Sequence, residues 1–385
     1  MRPTLRQSLR FRLIEPLRYR ADLARARQRA PLRVLLLSDQ ANYTSEQQFA
    51  PLAGRRGEIR ERLGAVFQRA LVADALALPR LVRGYDVVGL KLGFRTPAAQ
   101  ALAVARAVRA ALSPAARMVY FDGEDDLCVQ WPELLPLVDL YVKKHAFRDR
   151  REYLKPRVGK TNLTDYVAGK FGVSFAADII PASAPVAEDQ LGKIAVGWNV
   201  ALDDPIRRLY ARAAAVSKDI DVVCRAGVDP RSWIYPLRAP VIAGLSSMKH
   251  AYRVLTPQER VPQAVYYEEM LRSRVCVSPF GYGEICWRDF EAVVCGCVLV
   301  KPDMSHVETE PDIFVPHETY VPVRWDYSDL VPALESLLGD SARLERIRAS
   351  ASARLRAWLE GDALLERASS IFAALRAAPI TWCMS

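Results

Sequence analysis

The chain has 385 residues, 51% hydrophobic and 25% charged, with a formal net charge of +10 and a pI near 9.3. That length exceeds what one hydrophobic core usually serves, so two domains are expected, and the balance of apolar and charged residues excludes a disordered or fibrous chain. No apolar run approaches the roughly 20 residues of a membrane-spanning helix and the N-terminus lacks the apolar core of a secretory signal, which together lead to the expectation of a cytosolic protein.

Excess positive charge implies an anionic partner, and much of it is local. Within a basic N-terminal segment, residues 1–30, Arg2, Arg6, Arg10, Arg12, Arg18, Arg20, Arg25, Arg27 and Arg29 alternate with Leu5, Leu9, Phe11, Leu13, Ile14, Leu17 and Leu23. Such a segment can lie on an anionic bilayer at the inner membrane face, and it serves equally as a solvated arm or a helix packed on its own domain. No nucleic-acid motif or array of stacking aromatics accompanies it, so nucleic acid is not an expected partner. Seven cysteines, an odd number, do not form a disulfide framework. Cys295-Gly-Cys297 has no second Cys/His pair at zinc-like spacing, so buried reduced thiols and no bound metal are expected.

In chain order, Arg33 to Ser38 reads as the first strand, ending in a loop that opens with Asp39. A helix is expected from Glu58 to Leu78, then a strand from Tyr85 to Leu90 and an alanine-rich helix from Thr96 to Leu112. Arg117 to Phe121 is a strand running into Asp122-Gly-Glu-Asp-Asp126, and Val138 to Lys144 is a fourth. Strands alternating with helices predict a parallel, Rossmann-like sheet over 31–203. Residues Arg148 to Asp203, with the Pro181 to Pro185 turn cluster, break the rhythm and read as loop-rich structure. A second α/β domain is expected over 204–360: a helix from Pro205 to Val216, a strand from Lys218 to Cys224 and a helix from Arg260 to Ser273. Ser328 to Arg376 reads as helical, with 361–385 the terminal helical segment.

The most informative stretch is Cys276 to Val300. An apolar run (Val275 to Val277) ends in Ser278-Pro279, Gly281 and Gly283 permit a tight turn, and a helix is expected from Glu284 to Val294, stopped by Gly296. Cys297 to Val300 is a second buried strand, so the unit is βαβ-like, with a glycine-lined helix start where a phosphate could sit. Arg288 and Glu291, three apart, share one helix face. A guanidinium there can grip a diphosphate bidentately and a carboxylate one turn on can accept ribose hydroxyls; the alternative is an ordinary salt bridge between the two.

The Arg288-Asp-Phe-Glu291-Ala run leading to Gly296 and Val298 resembles the nucleotide-sugar domain of GT-B fold glycosyltransferases, most closely the exostosin-like branch. Members of the broader fold often carry two glutamates one residue further apart than Glu284 and Glu291. The resemblance implies an α/β chain of two Rossmann-like domains facing a cleft. It implies transfer from a nucleotide-diphosphate sugar to a glycan or lipid-linked acceptor in surface polysaccharide synthesis, without a metal cofactor, and a terminal helix crossing back to the first domain. On the donor side Arg288, Glu291, Glu284 and the backbone of Gly281, Tyr282 and Gly283 are then candidates. Lys249, Arg253, Arg225, Ser305 and His306 could add contacts. The acceptor's base would come from the first domain, with Asp122 or Glu124 favoured and Asp39 a further candidate; helix capping explains such acids equally well. His145, at a first-domain strand end, is another possible pocket residue. Two other readings stay open. Asp122-x-Glu124 can be read as a metal motif of the GT-A type, and the same fold could be a non-catalytic nucleotide-binding or scaffold protein.

Overall fold

The structure is a computed structural model and describes residues 9–27, 30–40, 47–175, 182–199, 204–257 and 259–376. Arg2, Leu5, Arg6, Arg29, Pro181, Asp203 and the last nine residues of the terminal segment lie outside the described residues. Two parallel sheets form the scaffold. The first contains β1 (Leu32–Ser38), β2 (Ala65–Leu71), β3 (Val87–Lys91), β4 (Arg117–Asp122), β5 (Leu140–Lys143) and β7 (Ile194–Val196) in the order β2-β1-β3-β4-β5-β7. β6 (His145–Phe147) leaves the edge of this domain. The second contains β8 (Ile220–Val223), β9 (Val254–Leu255), β10 (Ser273–Val277), β11 (Val298–Pro302) and β13 (Tyr320–Val323) in the order β13-β11-β10-β8-β9. β12 (Val307–Thr309) pairs antiparallel with β6 and so stitches the halves together. The chain is thus an α/β protein of two Rossmann-like domains, the GT-B arrangement, in which strands such as Val34 to Leu37 and Val298 to Val300 are buried on both faces.

The longer helices are α1 (Glu15–Arg25), α2 (Ala98–Ala111), α3 (Asn162–Phe171), α4 (Asp204–Ala213), α5 (Tyr235–Ser247), α6 (Gln263–Leu271), α7 (Trp287–Val294), α8 (Leu330–Gly339), α9 (Ser341–Leu359) and α10 (Ala363–Arg376). α10 reaches first-domain residues: Arg367 donates to the Val196 carbonyl at 2.7 Å and Arg376 to that of Leu63 at 3.3 Å.

The expected helix from Glu58 to Leu78 is overturned. Helical structure stops at Gly64, whose φ of 59° ends the turn, and Ala65 to Leu71 becomes β2, in register with β1 from Leu32↔Ala65 to Ser38↔Leu71. Its polar residues find partners inside: Tyr85 donates to Gln68 at 2.7 Å and Arg69 pairs with Glu15 at 2.6 Å. Residues 148–203 also hold more order than expected, since α3 and β7 lie there and β7 completes the first sheet.

One face of the basic N-terminal segment packs on its own domain. Phe11, Glu15 and Asp22 are buried, and Asp22 takes Arg56 and Arg60 as counter-ions. The opposite face exposes Leu9, Leu13 and Leu17, spaced one turn apart, together with Arg12, Arg18 and Arg20. Among the described residues no helix is long and apolar enough to cross a membrane.

Candidate functional site between the domains

The βαβ unit around β10, α7 and β11 forms, with its helix starting three residues later than expected, at Trp287. The reason is local chemistry. Asp289 accepts from the Cys286 amide at 3.0 Å and from Ser278 Oγ at 2.5 Å, and its carboxylate pairs with Lys301 Nζ at 3.1 Å, all three of Ser278, Asp289 and Lys301 being fully buried. The helix's own carboxylate therefore caps its amino end. The Asp289–Lys301 pair therefore occupies the cap position where a phosphate was expected.

The two glycines differ in role. Neither has a positive φ. Gly281 donates to the Gly283 carbonyl at 3.2 Å, and a Cβ on it would meet nothing closer than 3.7 Å. A Cβ on Gly283 would overlap the Asp125 carbonyl and lie 2.9 Å from the Asp126 amide nitrogen. Gly283 is thus where the second domain's loop touches the first domain's acidic loop backbone to backbone. Tyr282 between them is exposed, its ring 6.2 Å from that of Trp233.

Arg288 and Glu291 share a helix face but do not form a salt bridge with each other. Arg288 donates to Ser278 Oγ (2.9 Å) and to the carbonyls of Arg225 (2.7 Å) and Pro279 (3.0 Å), binding the carboxyl ends of β8 and β10 together. Glu291 accepts from Tyr266 at 2.7 Å and Tyr267 at 2.9 Å; burial raises its pKa, and the two hydroxyls oppose that. Sequence reading missed Arg238 on α5. It donates to the carbonyls of Phe280 (3.0 Å) and Gly227 (2.9 Å), and its Nη2 lies beside Gly281. Burial, with Arg288 nearby, lowers its pKa. Among the described residues neither Arg238 nor Arg288 has a carboxylate within ion-pair distance. Two half-buried guanidiniums, bound only to neutral oxygens, converge at the strand ends.

Three other candidate cations do not join them. Arg253 pairs with Asp219, just before β8, and so lies at the amino edge of the sheet. Lys249 follows α5 at that same edge, away from the carboxyl ends where ligands collect in open α/β sheets. Arg225 stands at the correct end, but its guanidinium binds Glu269, at 2.6 Å from Nη2.

In the first domain the favoured acids are counter-ions. Asp122, fully buried, accepts from Lys143 Nζ (2.7 Å), Tyr141 (2.9 Å) and the Glu124 amide (3.0 Å); burial would raise its pKa, but Lys143 and Lys91 hold it below the usual range. Glu124 receives Lys91 Nζ at 2.6 Å, and Asp39 accepts from the Gly93 amide at 2.6 Å. Each of these carboxylates already has a lysine or backbone partner within the first domain. Among the described residues no group of three or more His, Cys, Asp or Glu could hold a metal ion.

Two acids on the seam are different. Asp126 Oδ1 and Glu284 Oε2 are buried without a hydrogen-bond partner. Burial raises Asp126 to about 7, against Lys160 and Lys143, and Glu284 to about 8, the Asp126 carboxylate adding to the second shift. Glu284's other oxygen accepts from Thr161, the N-cap of α3 in the first domain. Lys301 acts on Glu284 and its ammonium also lies 5.2 Å from the Phe280 ring centre; His306, its ring 5.2 Å from that of Trp325, has an Nε2 without a partner and a pKa that burial lowers to about 4. Ser305 bonds Asp303 at 2.6 Å on the surface. His145, buried at the other side of the loop, contacts the Asp125 carbonyl at 3.1 Å. Asp126 and Lys301 were individually missed. Only the approach of Asp125 to Gly283, far apart in sequence, reveals them.

No protein-family model matches the chain, and no curated protein matches it. Among solved structures it is similar to a glycosyltransferase from Rickettsia africae ESF-5, at 10% identity and a TM-score of 0.47 over 90% of this chain and 100% of that one. It is similar to a UDP-forming alpha,alpha-trehalose-phosphate synthase from Burkholderia xenovorans, at 11% identity and a TM-score of 0.49 over 90% and 99% of the two chains. A sucrose-phosphate synthase from Thermosynechococcus elongatus gives 13%, 0.43, 89% and 99%.

Proposed function

We propose that this chain is a GT-B glycosyltransferase, of an exostosin-like kind, that moves a sugar from a nucleotide-diphosphate donor to an acceptor hydroxyl. The observation that carries the reading is the pair Arg238 and Arg288, two guanidiniums without a carboxylate partner at the carboxyl ends of β8 and β10, the first of them beside Gly281. Burying unpaired cations is costly, and a diphosphate removes that cost with bidentate bonds. In this reading the arginines, not a metal, neutralise the leaving group. Glu291, released from one of its tyrosines, accepts ribose hydroxyls. Glu284, Lys301 and His306 line the place where the transferred sugar lies.

The chemistry follows from the seam. The acceptor oxygen bonds to the sugar's anomeric carbon, the bond to the diphosphate oxygen breaks with its electron pair leaving on the diphosphate, and the hydroxyl proton passes to the Asp126 carboxylate. Closed domains exclude water, which favours transfer over hydrolysis. The exposed Leu9, Leu13 and Leu17 among arginines suit an anionic membrane surface, so the acceptor we favour is a glycan or lipid-linked one in surface polysaccharide synthesis, reached from the cytoplasmic face.

The test is thermal unfolding against a panel of nucleoside diphosphates and nucleotide sugars. A true donor at 100 times its Kd stabilises by about 2.7 kcal/mol. That gain should disappear in Arg238→Gln. If no nucleotide at millimolar concentration stabilises the wild-type protein, the reading falls.

A further inference from the structure

The segment from Leu9 to Arg25 is held along β2 at both ends. Near its start Arg12 donates to both oxygens of Asp74, at 2.7 Å from Nη2 to Oδ1 and 3.2 Å from Nε to Oδ2, and Asp74 follows the carboxyl end of β2. Further on, the Tyr19 ring lies 5.4 Å from that of Tyr85, just before β3 and so at the amino edge of the sheet. Phe11, Glu15 and Asp22 are buried, which fixes one face of the segment against the domain. At helical spacing the opposite face carries Leu9, Leu13, Leu17 and Arg20, and the three leucines are each more than half exposed. A second element extends this surface. The short helix Val72–Ala77 leaves the end of β2, and Leu76 and Leu78 are two-fifths exposed, with Arg80 exposed after them. The Arg12–Asp74 pair thus joins two runs of exposed leucine from parts of the chain 62 residues apart.

The charge around these leucines has one sign. Residues 9–27 contain two acids, Glu15 and Asp22, and both are buried against arginines. Residues 72–84 contain one, Asp74, which Arg12 neutralises. Arg20, Arg25, Arg27, Arg80 and Arg83 are exposed and, among the described residues, have no carboxylate within ion-pair distance. Exposed leucine by itself suits any apolar partner, a second copy of this chain included. Leucine among arginines does not suit a second copy, because two such faces repel each other. It matches a surface that is anionic at its boundary and apolar beneath.

We propose that this composite face, Leu9, Leu13 and Leu17 with Leu76 and Leu78, docks on an anionic lipid bilayer and turns the carboxyl edge of the first sheet toward the membrane. The assignment deepens the reading of a membrane-borne acceptor and rests on it for the meaning of that orientation. β1 to β4 are parallel, so the edge that receives the Arg12–Asp74 pair also carries the Asp122 to Asp126 loop. The seam then opens on the side from which a lipid-linked substrate arrives. The leucines enter the interface while the arginines meet lipid phosphates, two signals that together hold a protein on a bilayer without a spanning helix.

The experiment is co-sedimentation of the full-length protein with vesicles of phosphatidylcholine alone or mixed with phosphatidylglycerol, at low and high salt. The protein should pellet with the mixed vesicles only, and release as salt rises. Leu9→Gln combined with Leu13→Gln should weaken that binding at least about tenfold, and Leu76→Gln combined with Leu78→Gln should weaken it as well. Arg20→Gln and Arg80→Gln should each cost about fivefold. Leu23→Gln, exposed toward the other end of α1, should change it little. Because these positions are exposed, each variant should melt as the wild type does. Binding to neither vesicle, equal binding to both, or no loss in the Leu9/Leu13 variant overturns the proposal. A loss in Leu23→Gln as large as in that variant also overturns it, since the helix would then lie flat on the bilayer. Sedimentation equilibrium supplies a further check: a dimer abolished by the Leu9/Leu13 substitutions assigns the face to a second copy and overturns the lipid assignment. The nucleotide panel separates this proposal from the functional reading. If nucleotide sugars stabilise the protein but vesicles do not bind, the docking face alone has failed. If vesicles bind and no nucleotide stabilises, the functional reading has failed and the docking face stands.

Discussion

Gly283→Ala offers a direct test of the seam, because one methyl group falls on the contact between domains. The added carbon would overlap the carbonyl of Asp125 and come within 2.9 Å of the Asp126 amide, and all of these are backbone atoms that no rotamer change can move aside. Ordinary carbon–oxygen contact begins near about 3.3 Å, so the two loops must separate by on the order of 1 Å or more. Overpacking of this kind costs about 1–3 kcal/mol. In a chain of this size that corresponds to a few degrees of melting temperature, at about 2–4 °C per kcal/mol. Each half has its own parallel sheet, so the variant should fold. The separation falls on the acids that flank the contact, Asp126 and Glu284, and a 1 Å misplacement of reacting groups can cost about 10²-fold in rate. The expected result is a modest loss in calorimetric melting temperature with a hundredfold loss of transfer, measured with donor and acceptor both saturating. Gly281→Ala is the internal control: its Cβ would meet nothing within 3.7 Å, so stability and turnover should change little. If both alanine variants behave alike, the glycines serve the flexibility of the turn, and the close backbone approach has no functional weight.

The buried acids set a pH dependence. A carboxyl whose folded pKa lies above its unfolded value stabilises fully below the unfolded value, and that contribution is lost as pH rises through the folded one. Asp126 at about 7 and Glu284 at about 8 behave as a coupled pair, and the neutral buried His145 and His306 oppose them only below the unfolded histidine pKa of about 6.5. Urea unfolding between pH 6.5 and 8 should therefore show stability falling, by up to about 1.4 kcal/mol per pH unit for each proton held, and Glu284→Gln should flatten the slope; a rising profile contradicts the burial of these acids. Arg288→Ala should cost roughly 2–4 kcal/mol even without ligand, since it strands the carbonyls of Arg225 and Pro279 and removes the donor to Ser278 Oγ, which keeps its bond to Asp289; an unchanged urea midpoint would mean the side chain is free of the framework.

Strands with unbroken apolar runs were legible before any coordinates: β1, β3, β4, β10 and β11 all lie within or beside their expected spans, and the two-half α/β plan follows from their alternation with helices. β2 was not, because Gln68 and Arg69 look like a polar helix face until Tyr85 and Glu15 are seen to satisfy them from outside the strand. At the site, spacing correctly put Arg288 and Glu291 on one face of a helix. It could not supply their partners: the tyrosines come from α6 and the carbonyls from two strand ends. Asp122 and Asp126 are four apart in one acidic run and look interchangeable. Lys143 distinguishes them, by neutralising the first and not the second, and that lysine comes from the adjacent strand.

That contrast says something about how this fold treats buried charge. Far from the seam the chain is thorough: Glu15, fully buried, receives Arg69 at 2.6 Å and Arg56 at 3.1 Å, and Asp22 receives two arginines of its own. A protein able to do this near its N-terminus is not short of cations. Yet among the described residues the two carboxyl oxygens buried without a partner, Asp126 Oδ1 and Glu284 Oε2, both belong to the loops that meet at Gly283, while Arg238 lies beside Gly281 and Arg288 holds the Pro279 carbonyl. Carboxyl oxygens without donors and guanidiniums without counter-ions destabilise the empty fold. A ligand carrying hydroxyls at one end and a diphosphate at the other satisfies both sets at once, which is the physical reason for placing the reaction at this turn.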